Sequence, residues 1–108
     1  VNNYFIRISK LESKMTITVK FIGALRHISG VDELALNGEE GTSIRALMNE
    51  ITKEDPELKQ SLIDQQLEDP RLNALILVNG REISVLNGLD TSLKDGDEVV
   101  LVPVVHGG

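Results

Sequence analysis

Residues 74–103 read ALILVNGREISVLNGLDTSLKDGDEVVLVP, and the spacing of their apolar runs and turn residues decides the fold class. The run from Ala74 to Val78 is continuously apolar, the composition of a strand covered on at least one face. Asn79-Gly80 follows it, and both residue types tolerate positive φ, so a tight turn is expected. Residues 82–86 return as a shorter strand. Asn87-Gly88 and Asp95-Gly96 mark two more turns, with Leu89 and Leu93 as inward anchors between them. Residues 99–102 form the last strand. Pro103 limits its pairing, because proline has no N–H to give to a ladder. Either Val99 and Leu101 or Val100 and Val102 must face away from the core, since side chains alternate along a strand.

Upstream, residues 16–22 form the clearest strand. Ile17, Val19 and Phe21 alternate with Thr18, Lys20 and Ile22, the period-2 pattern of a half-buried element. Ile22 therefore belongs to the outward phase, where an aliphatic residue has no core to join. Residues 24–30 (ALRHISG) read as a turn, residues 31–36 as a second strand, and Asn37-Gly38 as its end. Between the two β regions lies an amphipathic helix. Thr42 or Ser43 can cap it, and Ile44, Leu47, Met48 and Ile51 fall on one face at i, i+3, i+4 and i+7. Asp55-Pro56 stops it. Residues 57–67 read either as a second short helix, with Leu58, Leu62 and Ile63 on one side, or as a surface loop.

This order predicts an α+β fold: a mixed sheet with one main amphipathic helix, and a second short one, packed on one face. The first and last strands are expected side by side. Residues 1–14 stand apart, with three basic residues and one acid. Two readings are open: a natural extension, or sequence ahead of a start at Met15. The strand that begins directly after Met15 favours the second. The expected division is an extension at 1–14 outside the fold, a domain at 15–103 and a flexible tail at 104–108.

The chain of 108 residues carries 17 acidic and 11 basic side chains, a net charge of −6. Such a surface repels phosphate backbones and anionic lipid, so no direct nucleic acid binding and no membrane are expected, and the setting is expected to be cytoplasmic. With no cysteine there is neither a disulfide framework nor a thiolate nucleophile, and His27 and His106 are too far apart in sequence for a compact metal site. No metal and no bound cofactor are expected. No P-loop, dinucleotide fingerprint, zinc-protease motif or serine elbow is present. The adjacent carboxylates, such as Glu39-Glu40 and Asp97-Glu98, sit at turns and element ends, where acids face water.

The unusual feature is Gly107-Gly108, which follows an apolar strand. Glycine gives up entropy when ordered and packs nothing, so the pair has no folding purpose. A frayed tail is one reading. The other is a tail thin enough to thread a narrow channel and set the α-carboxylate of Gly108 in another protein's active site. A carboxylate is a poor acyl donor, so it would need activation, for example as an acyl-adenylate made with ATP.

The segments from Ile76 to Ile83, Leu89 to Val99 and Val102 to Gly108, with Val19 to Arg26, resemble the MoaD/ThiS family of ubiquitin-like sulfur carriers. The combination of the DGDEV turn, the proline after the last strand and the terminal Gly-Gly is specific; any one alone is weak. The resemblance spans residues 15–108 and implies the ubiquitin-like β-grasp fold. It implies that Gly108 is adenylated by an E1-like activating enzyme, which uses the ATP, and becomes a thiocarboxylate. Gly107 would then serve tail threading. In the MoaD branch the carrier docks into the large subunit of molybdopterin synthase and gives sulfur to the molybdenum cofactor. Related archaeal modifiers thiolate tRNA or attach to protein lysines. The resemblance further implies partner contacts at Leu86 and Val102, which with the outward Ile22 would form one apolar patch beside the tail, and along Pro103, Val104, Val105 and His106. Family tails often have two prolines where this chain has Pro103-Val104, but its length favours the MoaD branch. The competing classes are a protein modifier using the same glycine, a plain interaction domain, and an independent enzyme, the last disfavoured by the missing nucleophile and metal ligands.

Overall fold

The computed structural model describes residues 14–62 and 74–104. In chain order these form β1 (Lys14–Phe21), α1 (Ala24–Ser29), β2 (Glu33–Glu39), α2 (Ile44–Thr52), α3 (Pro56–Leu62), β3 (Ala74–Val78), β4 (Arg81–Glu82) and β5 (Glu98–Pro103). The strands make one mixed sheet in the order β2-β1-β5-β3-β4. β1 and β5 are parallel neighbours at its centre, with Val19 beside Val99 and Phe21 beside Leu101. Antiparallel partners flank them, β2 on β1 and β3 on β5. This is the ubiquitin-like β-grasp.

One face of the sheet is the core. Ile17, Val19 and Phe21 from β1, Val99 and Leu101 from β5 and Ile76 and Val78 from β3 are buried there, with Leu25, Leu47 and Leu58 of the three helices over them. The alternation read in β1 thus sets its inward phase. The main helix also follows its pattern. Ser43 caps it, accepting a hydrogen bond from the Ala46 N–H at 3.1 Å. Ile44, Leu47 and Met48 are buried, and Ile51 is partly so. Each fully buried aliphatic side chain contributes about 1.5–3 kcal/mol.

Four expectations are corrected. Residues 24–29, read as a turn, are α1; Leu25 is buried, Ile28 packs beside the core, and Gly30 ends the helix at φ 82° with its N–H on the Arg26 carbonyl. Under two turns of helix are too few to show a 3.6-residue period. Asn37-Gly38 does not end the second strand but lies within β2, facing Thr16 and Met15. Gly38 is buried, and the chain reverses later, where Gly41 has φ 90°. Asp55-Pro56 does more than stop α2: the Asp55 carboxylate accepts the Leu58 N–H at 3.0 Å and so caps α3, with proline at the first helical position where its missing N–H is harmless. The helical alternative therefore holds as far as Leu62, and residues 63–67 of that expectation lie outside the described residues. Residues 82–86 are not a strand; pairing ends at Glu82 and a 3-10 turn follows over Ile83–Val85. β1 begins at Lys14, opposite Glu39, one residue ahead of the expected domain start. The rest of the 1–14 expectation lies outside the described residues.

The Asp95-Gly96-Asp97 turn holds the sheet's centre in register. The Asp95 carboxylate accepts the Thr16 N–H at 2.8 Å, and the Gly96 N–H reaches the Thr16 carbonyl at 2.9 Å. The Asp97 carboxylate accepts both the Lys94 N–H at 2.8 Å and the Asn79 side-chain amide at 2.9 Å. Asn79 in turn accepts the Glu98 N–H at 2.9 Å. Replacing Asp97 by Ala removes two charge-assisted bonds and should lower stability by about 1–3 kcal/mol. Urea unfolding should show a lower midpoint with an unchanged slope.

Candidate functional site

The face of the sheet opposite the helices is divided. Because Val99 and Leu101 point inward, Val100 and Val102 point outward and are half-buried. In β3 the same alternation turns Leu75 and Leu77 outward; Leu75 pairs with Val102 and Leu77 with Val100. Leu75 is 40% exposed. These four side chains form an apolar stripe along β5 and β3. On the other half, β1 presents Thr18 and Lys20, and β2 presents Glu33, Ala35 and Asn37.

Ile22 follows β1 directly. Its N–H donates to the Leu101 carbonyl at 3.0 Å, which carries the parallel register one step further and sets Ile22 beside Val102. The next residue, Gly23, has φ 59° and ψ −135°, a backbone state that side chains resist. A Cβ there would lie 3.3 Å from the Pro103 ring. Gly23 thus lets the end of β1 lie flush against the end of β5. Pro103 still faces Ala74 in the ladder, and the half-buried Val104 follows it.

The structure therefore brings Ile22, Val102, Pro103 and Val104 to one end of the sheet. Leu86 is placed differently: it follows the 3-10 turn beyond β4 and packs, half-buried, against the core. Val105, His106, Gly107 and Gly108 lie outside the described residues. Sequence reading overlooked Leu75, Leu77 and Gly23. The signal for the two leucines was available, since an inward Ile76 and Val78 force their neighbours outward.

The stripe's border carries charge. Lys20 Nζ and a Glu98 carboxylate oxygen are 2.9 Å apart, both side chains about two-fifths exposed. The hydrogen bond to Glu98 and that carboxylate's charge raise the Lys20 pKa. A raised lysine pKa stabilises the fold below the ordinary lysine value and loses that effect as pH rises through the folded value. Among the described residues no three histidine, aspartate or glutamate side chains are grouped to hold a metal, and no helix is long and apolar enough to cross a membrane.

An outward apolar stripe that runs to Pro103 and Val104 is a surface suited to docking. Comparison with known families matches residues 19–108 to the ThiS family. The chain belongs to the ThiS family. Small archaeal modifier protein 3 of Haloferax volcanii is 29% identical over 94 residues, 87% of this chain and all of that protein. An Archaeoglobus fulgidus protein named "Putative sulfur carrier protein" is 39% identical over 80 residues, 70% of this chain and 84% of the other. The solution structure of small archaeal modifier protein 1 from Methanosarcina acetivorans superimposes with a TM-score of 0.70 at 35% identity, over 89% of this chain and 99% of that one. This ThiS-family chain thus falls within the family of sulfur carriers and ubiquitin-like modifiers.

Gly23→Ala tests the junction. The strained φ and the new contact with Pro103 should lower stability by about 1–3 kcal/mol. Amide shifts of Ile22, Val102 and Val104 should move together. Shifts confined to Gly23 itself would show that the junction does not position the tail.

Proposed function

We propose that this chain is a sulfur carrier whose Gly108 carboxylate is adenylated by an E1-like activating enzyme with ATP, after which sulfur replaces AMP to leave a thiocarboxylate. Its destination is the large subunit of molybdopterin synthase, where the sulfur enters the dithiolene of the molybdenum cofactor. In this reading ATP is consumed by the activating enzyme, no cofactor resides on the chain, and the work is cytoplasmic. The observation that carries this reading is the apolar stripe of Leu75, Leu77, Val100 and Val102, which continues through Ile22 and Pro103 into the segment that bears the glycines. A partner seated on the stripe is held next to the start of the tail, and Gly107 and Gly108, lacking Cβ atoms, can enter a narrow channel. The net charge of −6 suits a basic rim on that partner.

A second reading uses the same glycine: attack on the activated carbonyl by a lysine amine gives a protein conjugate, and delivery of the sulfur to tRNA gives thiolation. The full-length match to small archaeal modifier protein 3 favours keeping the conjugation reading beside the first.

Deleting Gly108 should leave the fold intact and abolish ATP–pyrophosphate exchange by the cognate activating enzyme. Normal exchange by the truncated protein would sink the proposal. Val102→Asp should weaken partner binding by at least roughly 1–2 kcal/mol, as expected for a desolvated anchor. Its melting temperature should fall far less than that of Leu47→Asp, which forces a charge into the core. Unchanged affinity in calorimetry at fixed salt would remove Val102 from the docking surface.

A further inference from the structure

The two edges of the sheet differ. β4 is a two-residue edge. β2 is a seven-residue edge, paired with β1 in unbroken register from Glu33 to Glu39, without a bulge or proline. Long flat edges are normally shielded by lysines, prolines or bulges, because their unpaired backbone groups recruit other strands. Here the phase of the ladder identifies those groups. The Phe21 N–H donates to the Asp32 carbonyl at 2.9 Å, so Phe21 and Asp32 are a hydrogen-bonded pair. The alternation of antiparallel ladders then makes Val19–Leu34 and Ile17–Leu36 hydrogen-bonded pairs as well. The N–H and C=O groups of Glu33, Ala35 and Asn37 therefore point away from β1, and among the described residues nothing pairs with them.

The charge carried by the edge strand itself has one sign, with Lys14 of β1 standing across from its last residue, Glu39. Asp32 and Glu33 stand at its start and Glu39 and Glu40 at its end, with no lysine, arginine or histidine from Val31 to Ile44. Lys20, across from Glu33, is already joined to Glu98. Arg26 approaches Asp32 only to 4.0 Å. On the core-side face of the strand Leu34 and Leu36 are partly buried aliphatics.

We propose that the free edge of β2 is a strand-addition site for an extended segment of a partner protein that alternates basic and apolar residues. Its backbone pairs with Glu33, Ala35 and Asn37, its basic side chains lie near the acidic strand ends, and its apolar ones cover Leu34 and Leu36. A second copy of this chain is the wrong occupant, because antiparallel β2–β2 pairing sets acidic ends against acidic ends. The edge is separated from the β5 stripe by β1, so both surfaces can be engaged at once. The inference does not depend on the fate of Gly108.

The test uses the full chain and a capped Lys-Val-Lys-Val-Lys-Val-Lys peptide, with hydrogen exchange of the Ala35 and Asn37 amides read by NMR. At saturating peptide, exchange at both amides should slow by about tenfold or more. A peptide with glutamate in place of lysine should have no effect. The triple variant Glu33→Lys, Glu39→Lys, Glu40→Lys should bind the lysine peptide about tenfold more weakly, and Ala35→Pro, which removes one outward N–H and leaves the β1 ladder whole, should lose the protection at Asn37. Binding without protection of Ala35 and Asn37, or binding undiminished in the triple lysine variant, would overturn the proposal. So would protection of these amides before peptide is added, whether by other residues of the chain or, at rising concentration, by a second copy.

Discussion

The parallel contact between β1 and β5 is the constraint on which the rest of the molecule depends. It joins strands nearly eighty residues apart in sequence, and neither can be paired by a local hairpin. Its register is set from one end by the Asp95-Gly96-Asp97 turn, whose carboxylates and amide grip Thr16, Lys94 and Asn79. At the other end the register delivers Ile22 to Val102 and Gly23 to Pro103. A shift of one residue would exchange the two faces of β5. Val100 and Val102 would enter the core, and Val99 and Leu101 would replace them on the open surface. The acidic turn in the family signature thus acts on function through geometry. It decides which side chains stand beside Pro103 and Val104.

What could be read in the residues follows from how long each pattern runs. β1 and α2 present several turns or repeats of their period, and their inward faces were legible side chain by side chain. α1 spans only six residues and buries Leu25 with Ile28 beside it, too little for periodicity to register. Asn37-Gly38 carries the residue types of a turn, but residue type states only what the backbone can tolerate. Pairing with Thr16 and Met15, and the burial of Gly38, hold it extended. β4 stops at Glu82 because Ile83 turns into the core instead of continuing the ladder. For the candidate site, Ile22 followed from alternation, whereas alternation left both phases of β5 open and the family resemblance singled out Val102. Leu75 required the same argument applied to β3, where a continuous apolar run hid the difference between its two faces. Leu86 packs against the core beyond β4, a location set by the 3-10 turn, and no period in the sequence encodes that.

The sheet has a division of labour across its width. The helices take one face entirely. On the other face the apolar residues gather on β5 and β3, beside the tail, while β1 and β2 remain polar and end in an acidic edge. A chain of this size can therefore present two different partner chemistries, one apolar and one acidic, without either disturbing the core. In the proposed function the chemistry itself belongs to the Gly108 carboxylate and to the enzymes that would activate and use it.

That division gives the central claim a direct test: the intact mass of the protein isolated from its own cells, with fragmentation to locate any change. The account predicts a population heavier by the replacement of one oxygen with one sulfur, with the change confined to Gly108 and lost on treatment that hydrolyses thiocarboxylates. A chain recovered only with an unmodified carboxylate, under conditions where its activating enzyme is present and sulfur is supplied, would contradict it.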